Sequence, residues 1–373
     1  MINYKLGYYR VGEKIHTNKI AALVDGTNRN IHPEWVFNND VFDAVDWTQE
    51  PTASLEELYL ARARQIREQY DYVILSYSGG SDSQNILNTF LNNNIRIDEI
   101  VSCWPISIVE RLEANPWDYR PENQSSEWEL RAKPQLEKLS KSHPDIKITI
   151  HNWSTGVDNY KIKDGYITDR GIHTGAYSGL RWDYSNIKDV DRALNQRDNS
   201  VVIWGACKPR VCFHDGAYRL YFIDLVGSGS VDPANEQRTE YFYWHPDAWQ
   251  IIAKQAHLIV KFMEANPMFK QFIAWPTPNP RARDFYETAI RAIIYPGMDL
   301  NFFQATKWPD FDFAWDTTLF NLGANVEQRL KSINKENYQY LHQVIDPKYF
   351  QNNGKTDKLI GFITGMWALT KQP

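Results

Sequence analysis

The stretch Tyr72-Val73-Ile74-Leu75-Ser76-Tyr77-Ser78-Gly79-Gly80-Ser81-Asp82-Ser83 constrains the fold of this chain more than any other. Its first six residues are almost continuously apolar and β-prone, the pattern of a strand covered on both faces of a parallel sheet. Two adjacent glycines then end the run. Ile86, Leu87, Phe90 and Leu91 follow at helical spacing and predict a helix over 84–93. A buried strand that turns sharply into a helix is the local signature of an α/β fold.

Further strands are predicted at Ile97 to Cys103, Ile146 to Ile150 and Ser200 to Trp204, with a polar helical region at 127–141. Segments between them are long enough to cross over, so the expected sheet is doubly wound, mostly parallel and Rossmann-like. Thr52 to Tyr70 reads as a helix opened by a Ser54/Glu57 capping box, with Leu55, Leu58, Tyr59, Ala63, Ile66 and Tyr70 on one face. Asp247 to Ala265 reads as another, striped by Trp249, Ile252, Ala256, Ile259 and Met263. Tyr218 to Leu225 and Tyr241 to Trp244 are strand candidates. Tyr8 to Trp47 alternates short apolar stretches with Gly, Asn, Asp and Pro, as strands and turns would. Beyond about Pro267, short apolar runs punctuated by Pro and aromatic residues predict an irregular, mostly helical part. The expected division is a strand-and-turn extension over 1–50, the α/β domain over 51–232 and a mostly helical region, serving substrate or lid, over 233–373.

Composition narrows the function classes. A net charge of -5 gives no global attraction to nucleic acid or anionic lipid, although a local basic groove stays compatible with it. The 3 cysteines are too few for a disulfide framework. The first residues lack the basic-then-apolar pattern of a signal peptide, and no apolar run has spanning length. The expectation is therefore a cytoplasmic protein with no membrane partner; a homo-oligomer is compatible with this. The 14 tryptophans exceed an ordinary core's need and are read first as packing between layers.

The loop after the first buried strand is where chemistry is expected. At that point unpaired backbone N–H groups and the positive end of a helix dipole converge. Gly79 and Gly80 let the backbone approach an anion, and Ser78, Ser81 and Ser83 add hydroxyl donors. Asp82 would repel bare phosphate, which points to an intervening Mg²⁺ or to a helix cap. The plainer alternative is a glycine turn followed by an ordinary N-cap. A second segment, Trp204-Gly205-Ala206-Cys207-Lys208-Pro209-Arg210, follows another predicted strand and should face the same crevice, since open α/β sheets place ligands at strand carboxyl ends. Lys208 and Arg210 would supply positive charge there, or serve only as solvated surface cations.

The pattern Ser-Gly-Gly-x-Asp-Ser at 78–83 resembles the PP-loop of the adenine nucleotide α-hydrolase (HUP-like) superfamily. That group includes asparagine synthetase, tRNA sulfurtransferases and phosphoadenosine phosphosulfate reductase. The resemblance covers roughly 70–225. It implies that Ser78, Gly79, Gly80, Ser81, Asp82, Ser83 and Gly205 bind ATP, and that the loop holds the leaving pyrophosphate while a substrate oxygen attacks the α-phosphorus. Asp82, Lys208 and Arg210 are then the catalytic candidates, with Mg²⁺ on Asp82. The implied function is an ATP pyrophosphatase that adenylates an unidentified acceptor, a small molecule or a nucleobase. One alternative is a phosphosulfate reductase-like or tRNA/nucleobase sulfur-transfer enzyme using Cys103, Cys207 or Cys212. Another is a nucleotide-binding module without turnover. The chain departs from two branches, having neither an N-terminal Cys nor a Glu-Cys-Gly-x-His signature near its end.

Weaker signals are read plainly. Cys207, Cys212 and His214 lack zinc-ligand spacing, and buried Cys is more often a small hydrophobe. Gly354-Lys355-Thr356 is a turn rather than a Walker loop, and Gly227 to Ser230 is a candidate flap. His245, Lys254 and His257 are expected at solvated helix positions.

Overall fold

The computed structural model describes residues 7–16, 19–104, 128–152, 195, 198–205, 209–224, 238–274, 290–298, 342–352 and 357–370. Its centre is a five-stranded sheet in the order β10-β7-β4-β5-β6, built from β4 (Tyr72–Ser76), β5 (Glu99–Trp104), β6 (Lys147–Asn152), β7 (Ser200–Trp204) and β10 (Thr239–Tyr241). Every pairing in it is parallel. The expected α/β class and parallel sheet are therefore present, flanked by helices. β4 is earliest in sequence yet sits in the middle: β5 and β6 extend the sheet on one side, β7 and β10 on the other. The strand order reverses between β4 and β7.

Val73, Leu75, Val201, Ile203 and Ile100 are fully buried and belong to the main core, where α3 (Leu55–Gln69) and α4 (Ser81–Asn92) also pack. Ile74, Val101 and Val202 form a separate buried cluster, as the period-two alternation of a strand requires. Two further helices are α5 (Lys133–Ser142), preceded by a π-helical turn at Trp128–Ala132, and α6 (Trp249–Ala265).

The N-terminal segment holds the antiparallel strands β1 (Tyr8–Val11), β2 (Lys14–His16) and β3 (Glu34–Val36) and the one-turn helix α2 (Asn39–Phe42). It also holds an 11-residue helix, α1 (Lys19–Arg29), where only strands and turns were expected. Gly26 obscures that helix in the sequence. A Cβ there would lie 2.6 Å from the Ile31 carbonyl oxygen, so the glycine serves the return of the chain rather than a break.

A second sheet pairs β8 (Arg210–His214), β9 (Ala217–Tyr221) and β13 (Trp367–Ala368) antiparallel. Asp215 and Gly216 join β8 to β9 with φ of 49° and 76°, the left-handed pair that a two-residue hairpin needs. β11 (Phe350–Asn352) and β12 (Asp357–Leu359) form another hairpin. An aromatic layer of Phe42, Trp47, Phe222, Trp244 and Trp367 ties these parts together, with Phe222 and Trp244 ring centroids 4.8 Å apart. These aromatic residues act as packing between layers.

Two buried ion pairs link separate elements, one at the N-terminal segment and one within the core. Lys19 Nζ lies 2.7 Å from Asp224, both fully buried, and Asp224 also accepts from Tyr9 and the Phe362 amide. Arg62 on α3 meets Glu240 on β10 at 2.8 Å, and Glu240 further accepts from Tyr70 at 2.8 Å and contacts His245 at 3.0 Å. His245 Nδ1 accepts the Asp247 amide, which leaves Nε2 to carry the proton toward Glu240. Among the described residues no helix is long and apolar enough to cross a membrane.

Candidate functional site

The carboxyl ends of β4 and β7 meet at the strand-order reversal, where an open α/β sheet forms its ligand crevice. The chain leaves β4 under close control. The Tyr77 amide still bonds the Val101 carbonyl, and Ser102 Oγ donates 2.8 Å to the Tyr77 carbonyl. Gly79 then adopts φ of 73°, a left-handed conformation suited to glycine. A Cβ there would also meet Ala132 Cβ at 2.9 Å, so the π-helical turn before α5 covers this glycine closely. Arg131, the preceding residue of that turn, is buried.

Gly80 is the N-cap of α4, in extended conformation and with no side-chain cap. The helix therefore starts at Ser81, three residues before the predicted start, and Ser81, Asp82 and Ser83 form its first turn. The backbone amides of a first helical turn lack intrahelical acceptors and carry the positive end of the dipole. Two of the three serines shape the turn itself. The Ser78 amide donates 3.2 Å to Ser83 Oγ, Ser83 Oγ donates 3.2 Å to the Gly80 carbonyl, and the Gly80 amide donates 3.3 Å to Ser78 Oγ.

Gly205, directly after β7, abuts this turn from the neighbouring strand. A Cβ on Gly205 would stand 3.0 Å from both the Asp82 carbonyl carbon and the Ser83 nitrogen. The ends of β4 and β7, Ser76 and Trp204, 128 residues apart in sequence, thus converge on one helix start. Trp204 brings its ring to the small cluster of Ile74, Val101 and Val202 on one face of the sheet.

Asp82 is held by a web of buried tyrosines that local sequence patterns do not reveal. Tyr295 donates its phenol to Asp82 Oδ1, and Tyr243 donates 2.9 Å to the Asp82 carbonyl. Asn85 Nδ2 donates 2.9 Å to the Tyr243 oxygen, while Gln255 Nε2 donates 2.7 Å to Tyr59, which itself donates 2.7 Å to the Ile294 carbonyl. Burial first, then the Asp82 charge, pushes the Tyr295 phenol well above its ordinary value. Burial likewise raises Tyr243 and Tyr59. All three stay protonated and act as donors.

Lys208 and Cys207 lie outside the described residues, as do the loops at 227–230 and 354–356. Arg210 stands in β8, paired across the ladder with Tyr221, and belongs to the second sheet rather than to a loop. Cys103 is in β5, in register with His151 of β6. Cys212 is buried against Met366, and burial pushes its thiol up to about 11. His214 sits beside Asp215, and among the described residues no group of three His, Cys, Asp or Glu is placed to hold a metal.

His245, Lys254 and His257 are not solvated as expected. His257 Nε2 lies 3.0 Å from the Trp47 carbonyl; Lys254 donates to Glu50 at 2.9 Å and to the Pro51 carbonyl at 3.0 Å. The segment before α3 covers that side of α6 and turns its polar residues into clasps.

No family model, curated protein or solved structure matches the chain. Geometry and chemistry alone therefore speak for the site.

Proposed function

We propose that this chain is an ATP-dependent adenylating enzyme of the PP-loop ATP pyrophosphatase kind, its sheet being the doubly wound, HUP-like nucleotide domain. The observation that carries this reading is the glycine-capped start of α4 at the strand-order reversal, with Gly205 bare against Asp82 and Ser83. Such a start recruits an anion, because dipole and amides act together. In this reading the first-turn amides of α4 and the Ser81 hydroxyl hold the pyrophosphate portion of ATP. Ser78 and Ser83 keep the turn in shape.

A carboxylate beside the loop suits Mg²⁺, which is held through one or two carboxylates together with nucleotide phosphates. Asp82 is that carboxylate. When bound, the ion would neutralise charge on the phosphate oxygens. Positive charge toward the α-phosphate is assigned to Lys208 and Arg210, and the acceptor oxygen to a pocket formed by the N- and C-terminal parts. The sulfur-transfer reading gains nothing from Cys212, whose raised pKa keeps it a thiol near neutral pH.

The test is pyrophosphate release with ATP, Mg²⁺ and a panel of amide, carboxylate and nucleobase acceptors, alongside calorimetric titration with ATP. Acceptor-dependent release supports the proposal. Tight binding without release for any acceptor favours a nucleotide-binding module. Replacing Cys103, Cys207 and Cys212 by Ser should leave adenylation intact, whereas loss of activity would favour sulfur chemistry.

A further inference from the structure

The loop carboxylate does not stand by itself. Asp82 Oδ1 receives the Tyr295 phenol, and the Asp82 carbonyl receives Tyr243. Tyr243 follows β10, and Tyr295 follows a helical turn over 290–294, so both lie within 233–373, far from the loop in sequence. Tyr295 is almost fully buried, and its ring centroid lies 5.7 Å from that of Tyr243. Tyr59 holds the same turn through the Ile294 carbonyl. Three elements thus fix one phenol on one carboxylate oxygen.

We propose that Tyr295 is a positioning residue for the nucleotide's divalent cation: by donating to one oxygen of Asp82, it sets the rotamer in which the carboxylate meets a metal–phosphate complex at the start of α4. This rests on the nucleotide reading of the loop. Its physical basis is general. A neutral phenol that only donates favours the ionised carboxylate and removes its rotational freedom before the cation arrives. Partners of metal-binding carboxylates are worth about 10–100-fold in metal affinity. A second consequence follows: the C-terminal part, through residues 290–298, completes the loop instead of merely covering it.

The experiment is calorimetric titration of the full chain with ATP, once with Mg²⁺ and once with a chelator, for the wild type, Y295F, D82N and the double variant. Tyr295→Phe keeps the ring and its packing on Tyr243 and removes only the donor. The expected result is a loss of about tenfold or more in ATP affinity with Mg²⁺, no change under chelator, and a double variant no weaker than D82N. Tyr70→Phe, which loses a buried hydrogen bond to Glu240 and touches neither Asp82 nor the web around it, should leave the Mg²⁺ dependence as in the wild type. Equal losses with and without Mg²⁺ in Y295F, or additive losses in the double variant, would overturn the proposal. Wild-type protein that binds no ATP overturns both this proposal and the nucleotide reading; wild-type binding with an unaltered Mg²⁺ dependence in Y295F overturns this one alone. Should Y295F fail to fold, fluorotyrosine placed at 295 in an otherwise unchanged chain reads the same bond. Its ¹⁹F resonance should shift with ATP and Mg²⁺ but not with ATP and chelator, and an unmoved resonance would contradict the proposal.

Discussion

Helix α3 closes its own beginning: Ser54 Oγ accepts the Glu57 amide, Glu57 accepts the Ser54 amide, and the chain just before it is clasped by Lys254, Lys261 and His257 of α6. Helix α4, packed beside it, begins at Gly80 with no side-chain cap and a second glycine, Gly205, pressed against its first turn. A capping side chain contributes about 1 kcal/mol, and the sequence of α4 leaves that contribution out at a helix start beside the sheet. Where α3 spends its polar groups on itself, α4 has them arranged around the turn, on Ser78, Ser83 and the tyrosine web. On the proposed reading, the difference is that between a structural helix start and one that receives an anion.

The contrast breaks most severely at Gly205. Gly205→Ala puts a methyl group 3.0 Å from two backbone atoms of the α4 turn, and overpacking of that kind costs about 1–3 kcal/mol. Lower stability in chemical denaturation together with a loss of ATP binding of tenfold or more is the expected result. Gly80→Asp sharpens the comparison, since the extended backbone of Gly80 accepts a side chain. It gives α4 the cap it lacks, so stability should rise by a few tenths of a kcal/mol while ATP binding falls; binding that survives would mean that the first-turn amides hold no phosphate. Ser54→Ala is the mirror experiment. It should cost about 1 kcal/mol in denaturation and leave ATP affinity unchanged.

The smallest effect is a matter of pH. Burial raises the Glu50 carboxyl, but hydrogen bonds from Lys254 and Lys261 outweigh this and hold it below its ordinary 4.5. A carboxyl depressed in the folded chain adds stability above the unfolded value and loses it as pH falls through the lower folded one. Glu50→Gln should therefore remove about 1 kcal/mol or less at neutral pH and flatten the acid side of the stability profile below pH 4.5. An unchanged acid limb would show that the clasp before α3 contributes nothing.

What could be read from the residues was local. The apolar run at 72–77, the Ser54/Glu57 box and the stripe on α6 each lie within one element, and each is present in the fold. Gly205 was also legible, through the rule that strands end at the ligand crevice. The tyrosine web was not, because Tyr243 and Tyr295 stand 161 and 213 residues from Asp82. No periodicity encodes a contact at that distance. His257 and Lys254 were misplaced for a related reason: helical spacing identifies a polar side but not the segment that covers it. The β8–β9 hairpin carried a visible signal, Asp215-Gly216 between alternating residues, which outweighs any ligand reading of Cys212 and His214.

The most direct measurement is a crystal structure grown with Mg²⁺ and an ATP analogue that resists cleavage between its α- and β-phosphates. The account predicts the two terminal phosphates on the amides of Ser81, Asp82 and Ser83, between Gly80 and Gly205. Nucleotide bound elsewhere, with the start of α4 bare, would contradict it.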